Sequence, residues 1–163
     1  MSEPESIDVL LLRLDATLPA PSYARAGDAG ADLPIAIDVT IPPGERVVVP
    51  TGFAVAIPPG WVGLACPRSG LAARHGLTFP NAPGVIDSGY RGEIKVCLLN
   101  TDAREPVTLR RGDLIAQLVF QRVGQARFVE VDELPASDRG AGGYGSTGGV
   151  RGWAEESRPI RRP

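Results

Sequence analysis

Histidine is almost missing from this chain. A single one, His75, occurs among 163 residues, which argues against a histidine-built zinc site and against a serine–histidine–aspartate triad. Cysteine is nearly as scarce. Cys66 and Cys97 lie far apart in apolar, strand-like runs, and two buried free thiols in a reducing compartment fit them better than a disulfide. Net charge is also lacking: at −2, no broad field draws the protein to nucleic acid or to an anionic membrane, so any polyanion must be gripped by a few placed arginines. The acidic start "MSEPESID" runs into only a short apolar segment and does not read as a signal peptide. The uncharged stretch from Val47 to Cys66 has the length of a membrane span, but it holds three prolines and three glycines and reads as two strands around a turn. A soluble, cytoplasmic protein with no membrane partner is expected.

What the chain does have is a 43% hydrophobic content and 36 glycines and prolines (20 and 16). The first calls for a real core, and the length suits one domain that buries roughly two-thirds of its unfolded surface. The second is frequent punctuation, which suits many short strands joined by turns. Strands are expected at 7–14, 35–41, 46–49, 52–57, 61–66, 93–100, 105–110, 114–121 and 127–132, with one short helix within "SGLAARHG" (69–76). Two segments echo each other at a spacing of sixteen, "TIPPGERVVVP" and "AIPPGWVGLAC". Each has the proline and glycine of a tight reversal, and they read as successive hairpins. The expectation is an all-β chain: a barrel or sandwich over 1–135, then a C-terminal arm over 136–163.

Five clusters carry residues that strand or turn physics alone would not choose. In "AGDAGADL" (26–33), Asp28 and Asp32 suit either an Asx-rich turn or carboxylates near a hard cation and its waters. In "CPRSGLAAR" (66–74), a strand stops at Pro67. Arg68, Ser69 and Gly70 then offer a guanidinium, a hydroxyl and open backbone N–H groups, which is an N-cap or a phosphate site. In "FPNAPGVIDSGYRGEIKV" (79–96), Pro80, Pro83 and Gly84 stiffen a reversal that begins with Asn81. Asp87, following Val85 and Ile86, is expected to be partly desolvated and able to act as a general base. Tyr90 and Lys95 follow within reach. In "RGDLIAQLVFQ" (111–121), Gln117 is the one polar residue between Leu114 and Phe120 and requires a partner if buried. Finally, "RGAGGYGSTGG" (139–149) has six glycines in eleven residues. It cannot pack a core and reads as a linker or a flap.

The five clusters, in this order over residues 26 to 148, resemble the five motifs of the trimeric dUTPase family. The resemblance implies a distorted jelly-roll β-barrel assembled as a homotrimer, with each active site shared between subunits. It implies hydrolysis of dUTP to dUMP and diphosphate, with Mg2+ on the triphosphate, which limits uracil entry into DNA and supplies dUMP. Asp87 is then the base for the attacking water. Arg68, Ser69, Gly70 and Gln117 contact the phosphate chain; Asn81, Val85 and Ile86 form the uracil slot. Tyr90 packs under the deoxyribose, and Lys95 lines the same pocket. Asp28 holds water on Mg2+, and Asp32 is structural at the subunit contact. In the last cluster Arg139 meets the γ-phosphate, Tyr144 stacks over uracil where the family usually has phenylalanine, and Gly145, Ser146 and Thr147 close on the phosphates. Two rivals are weighed: a dCTP deaminase, disfavoured by Gly70 and Tyr90, and a catalytically silent trimer, disfavoured by the full residue set. The resemblance says nothing about residues 150–163.

Overall fold

Residues 6–142 are described by the computed structural model. The chain forms two units, Met1–Gln125 and Ala126–Pro163. In the first, ten strands and one helix follow in the order β1 (Leu10–Arg13), β2 (Ala31–Pro34), β3 (Val39–Ile41), β4 (Arg46–Ala56), β5 (Trp61–Pro67), α1 (Ser69–His75), β6 (Leu77–Thr78), β7 (Gly84–Ile86), β8 (Glu93–Asn100), β9 (Val107–Leu109) and β10 (Leu114–Arg122). They make two four-stranded sheets, β1-β4-β8-β6 and β2-β10-β5-β7, and a small β3-β9 ladder, with every pairing antiparallel. The result is the expected jelly-roll barrel.

Alternation explains which residues line the core. In β8 Ile94, Val96, Leu98 and Asn100 are buried, as period 2 requires of a strand with one face inward. Ile115 and Leu118 of β10, Leu33 of β2 and Phe53 of β4 join Ile94, Val96 and Leu98 in one apolar cluster shared by all three sheets. Phe53 is fully enclosed, and burial of such a side chain is worth roughly 1.5–3 kcal/mol.

Both proline–glycine turns differ from expectation. Neither is a hairpin: β3 pairs with β9, whereas β4 pairs with β1 and β8. Likewise β4 and β5 belong to different sheets. The same turn chemistry serves here to carry the chain from one sheet to another, since a tight reversal fixes direction but not the partner strand. Other strands also fall differently. β4 runs unbroken across Pro50, with an irregular register between Pro50 and Ala54, so two expected strands are one. β2 begins inside the first polar cluster, where no strand was expected, and the 35–41 strand shrinks to Val39–Ile41. The helix lies where expected. Gly76 ends it at φ 61°, with its N–H bonded to the Ala72 and Leu71 carbonyls.

In the second unit the described residues form no strand. The expected strand at 127–132 is absent, with Phe128 95% exposed and Val129 and Val131 also exposed. Its apolar–polar alternation is half of a ladder, and no described strand of this chain pairs with it. A turn follows: Gly140 N–H donates to the Ser137 carbonyl at 3.0 Å and Arg139 Nε to the Gly142 carbonyl at 2.9 Å.

Two polar ties hold the loops of the barrel. Asn100 is fully buried; its Nδ2 donates to the carbonyls of Ile41 and Glu105 at 3.0 and 2.9 Å, and its Oδ1 accepts from the Asp102 N–H at 2.9 Å. At the surface Arg111 donates to Asp15 at 2.5 Å and to the Thr17 hydroxyl, and Asp38 accepts from the Arg111 N–H at 2.7 Å and from Arg110 at 3.1 Å. The bond from Arg111 holds the Asp15 carboxyl at about 2, below its ordinary 3.8, and the Arg111 N–H lowers Asp38 as well.

Asn100→Ala therefore removes all three bonds, leaves the Ile41 and Glu105 carbonyls and the Asp102 N–H without this partner, and is expected to cost about 3 kcal/mol, read from urea midpoints at unchanged m. A lowered carboxyl stabilises the fold above its unfolded pKa and ceases to do so as pH falls through the folded one. Asp15→Asn is accordingly expected to lower Tm near neutrality, with the difference from the parent closing between the ordinary 3.8 and about 2. A Tm difference that stayed constant over that window would contradict the tie.

Candidate active site

The sheet β2-β10-β5-β7 has one face on the core and one outside. Across it, Gln117 of β10 sits opposite Asp32 of β2 and Cys66 of β5. Leu118, one residue on, is opposite Ala31 and Ala65, which are buried. By alternation, Asp32 and Gln117 share the outer face. Val85 of β7, 64% exposed and opposite Leu64 of β5, lies on that face too. Gln117 is thus not a core residue, but it does have the partner it requires. Its Nε2 donates to Asp32 Oδ1 at 3.3 Å. The same oxygen takes Arg68 Nη1 at 3.1 Å, so one nearly buried carboxylate, 9% exposed, holds both an amide and a guanidinium. Gly30 makes room for this: a methyl there would stand 2.8 Å from Gln117 Cβ.

Arg68 caps α1 in extended conformation and without a side-chain capping bond. Ser69 is therefore the first helical residue and not the cap. The first N–H groups of any helix lack intrahelical acceptors, and Gly70 leaves them open, because an added methyl there would meet nothing within 4 Å. Guanidinium, hydroxyl and backbone donors thus lie together beside Gln117, a set that suits the oxygens of a phosphate chain.

The third cluster departs from a hairpin. β6 pairs with β8 and β7 with β5, so the segment from Phe79 to Pro83 crosses between sheets. Ile86 points into the core at 8% exposure while Val85 points out. The slot expected from Asn81, Val85 and Ile86 can therefore use the side chains of the exposed Asn81 and Val85 but only the backbone of Ile86. Asp87 is exposed in the single chain, contrary to the expected partial desolvation. β7 ends at Ile86, whose side chain turns into the core, so it does not shelter the residue beyond the strand.

Beyond it the chain turns tightly. Tyr90 N–H donates to the Asp87 carbonyl at 3.0 Å, and Tyr90 Oη donates to the Glu93 carbonyl at 2.9 Å. The tyrosine lies across Gly92, where a methyl would sit 2.4 Å from its hydroxyl oxygen. Lys95, on the outer side of β8, is 4.0 Å from Glu93. Asp28 is exposed, and its Oδ2 accepts from the Arg25 N–H at 2.8 Å while its own N–H donates to the Arg25 carbonyl at 3.2 Å, which closes a turn. Among the described residues no three histidine, cysteine, aspartate or glutamate side chains group to hold a metal. Cys66 and Cys97 are free thiols, and no described helix is long and apolar enough to cross a membrane. Of the last cluster, Arg139 belongs to the turn above; Tyr144, Gly145, Ser146 and Thr147 lie outside the described residues.

The profile of the family described as dUTPase matches residues 16–148. The chain belongs to the dUTPase family. Relatives named deoxyuridine 5'-triphosphate nucleotidohydrolase agree: that of Thermobifida fusca is 63% identical over 93% of this chain and 85% of its own. That of Nocardia farcinica is 60% identical over 93% and 92%. Among solved structures, the dUTPase of Staphylococcus bacteriophage 80alpha with dUPNHPP superposes at a TM-score of 0.80 and 28% identity, covering 88% of this chain and 99% of that one. A dUTPase variant from phage phi11 of S. aureus, described with a coordinated structural Mg(II) ion, superposes at 0.73 and 26% identity over 80% and 100%.

Sequence reasoning missed the joint between Asp32, Arg68 and Gln117, and missed Gly30, Gly92 and Glu93 altogether. The available signal was a carboxylate inside the apolar run "ADLP", which needs partners. Gly30→Ala in this dUTPase is expected to cost about 1–3 kcal/mol by overpacking against Gln117. Gly70→Ala, with open space around it, should stay within about 0.5 kcal/mol. Urea unfolding of the pair checks both, and equal costs would mean that Gly30 is not set by Gln117.

Proposed function

We propose that this chain is a dUTP nucleotidohydrolase that releases dUMP and diphosphate, working in the cytoplasm as a homotrimer whose sites are completed by neighbouring copies. The observation that carries the chemistry is the joint of Arg68, Asp32 and Gln117 beside an open helix start. A triphosphate is mostly charge, and its hydrolysis is mainly a matter of positioning and neutralisation. Arg68, Ser69, Gly70 and Gln117 supply cation and donors to the phosphate chain, and Asp32 holds the first and last of them in place. Asp87 accepts the proton of a water as that water's oxygen forms a bond to the α-phosphorus. The bond from the α-phosphorus to the bridging oxygen breaks, and diphosphate leaves.

Asn81 and Val85 with the Ile86 backbone hold uracil. Tyr90 lies under the deoxyribose, Lys95 lines the pocket, and Arg139, Tyr144, Gly145, Ser146 and Thr147 close over the substrate. Asp87 is exposed in one chain, and a neighbouring copy is the means by which it loses water. Uracil is selected over thymine because a stiff backbone leaves no space for the 5-methyl.

Magnesium fits this site as a guest of the substrate. The described residues offer no cage of their own, and this small, hard cation usually keeps several waters and binds through phosphates and one or two carboxylates. Bound to the triphosphate, it would neutralise charge on the phosphate oxygens. Asp32, joined to the phosphate-facing donors, is better placed than Asp28 in its turn to meet its water shell.

Diphosphate release measured with dUTP, dCTP, dTTP and UTP, with and without Mg2+, tests the reading. The expected result is turnover of dUTP with kcat/KM at least about a hundredfold above dTTP; ammonia from dCTP, or no turnover at all, would overturn it. Asp87→Asn is expected to abolish kcat while dUTP binding by calorimetry persists, and retained turnover would remove Asp87 from the role of base.

A further inference from the structure

The reading above gives Tyr90 and Lys95 to the nucleotide and leaves the residue between them unassigned. Resting on that reading, we infer that Glu93 is a positioning residue that sets the tyrosine under the sugar, and so governs rejection of ribonucleotides. The argument begins at an irregularity in β4. Lys95 pairs with Pro50 and Glu93 with Ala54, so Thr51, Gly52 and Phe53 oppose Ile94 alone. Such a bulge leaves ladder groups without their usual partners. Two side chains take them up. Thr51 Oγ1 donates to the Ile94 carbonyl at 2.6 Å, and the buried Gly52 N–H donates to Glu93 Oε1 at 2.9 Å.

Gly52 is itself fixed. Its φ is +79°, its carbonyl accepts from the N–H groups of Leu14 and Asp15 at 2.8 and 3.2 Å, and a methyl there would be 3.1 Å from both Asp15 and Leu18. The Glu93 carboxylate is thus tied to an immobile point in the neighbouring strand. The other end of the residue faces the site: its carbonyl accepts the Tyr90 hydroxyl at 2.9 Å, and its Oε2 is 4.0 Å from Lys95 Nζ. Gly92 clears the space for the ring in between. One residue therefore spaces the aromatic platform from the lysine and references both to the bulge. The tyrosine side chain is 45% exposed and has no core to hold it, so its hydroxyl bond supplies its registry. The requirement on Glu93 is an acceptor at Oε1, not a charge.

The test is the ratio of kcat/KM for dUTP over UTP, with Tm measured alongside. Glu93→Ala is expected to lower that ratio about tenfold or more, mainly through a higher kcat/KM for UTP as the unregistered ring admits the 2′-hydroxyl, with kcat for dUTP less affected. Glu93→Gln keeps an acceptor for the Gly52 N–H and should keep the ratio. Tyr90→Phe cuts the same link from its exposed end without burdening the fold; it should lower the ratio comparably, and the double variant should be no worse than either single one. A ratio unchanged in Tyr90→Phe, or in a folded Glu93→Ala, overturns the inference. So does a loss in Glu93→Gln equal to that in Glu93→Ala. A parent protein that does not prefer dUTP over UTP overturns the underlying reading instead.

Discussion

A strand in the middle of a sheet must satisfy two environments at once, and β10 is where this fold depends on that constraint. Its inward residues Ala116 and Leu118 are buried and pair across to β2 and β5, and Ile115, at the register irregularity, is buried as well. The register that packs them also fixes what the outer face presents. Slide β10 by one residue and the core would receive Gln117, while Asp32 would keep Arg68 but lose the Gln117 amide. Core packing and site assembly are therefore one requirement. A buried carboxylate held by a guanidinium and an amide is expensive to break, which makes this row a lock on register as well as a cradle for donors.

The two halves of the site are built by different physics. The Arg68–Asp32–Gln117 half rests on sheet geometry: three strands, one row, a helix start. The half proposed to hold the nucleoside rests on a loop made rigid by its own bonds, from Asp87 through Tyr90 to Glu93. Arg91 adds to this by donating to the carbonyls of Ser88 and Tyr90 at 2.6 and 2.7 Å. Glycine matters to both halves for absence of volume, Gly30 beneath Gln117 and Gly92 beneath Tyr90.

Much of this was legible in the residues. Periodicity located β8, β9 and β10, and the helix lay within "SGLAARHG". What could not be read was partnership. "PPG" announces a reversal, but whether the next strand returns to the same sheet or joins another depends on contacts far along the chain. For the same reason the partners of Asp32 went unread: they are 36 and 85 residues away. The exposure of Asp87 in the single chain was not foreseen, because an apolar Ile86 next to it in sequence turns into the core and gives it no cover. The alternating 127–132 segment shows the converse, a pattern that needs a second strand before it becomes structure.

The helix α1 carries one further implication. It has seven residues and none of them is fully buried; only Leu71 leans on the core. So short a helix is marginal in water, and little of the barrel's burial energy is invested in it. Its amide protons should then exchange through local opening at a small free-energy cost, well separated from the slow exchange of β10 and β8. The donors that face an anion would thus belong to the softest secondary structure of the barrel, seated beside its most deeply anchored strand, and occupancy by a ligand would register first as slowed exchange there.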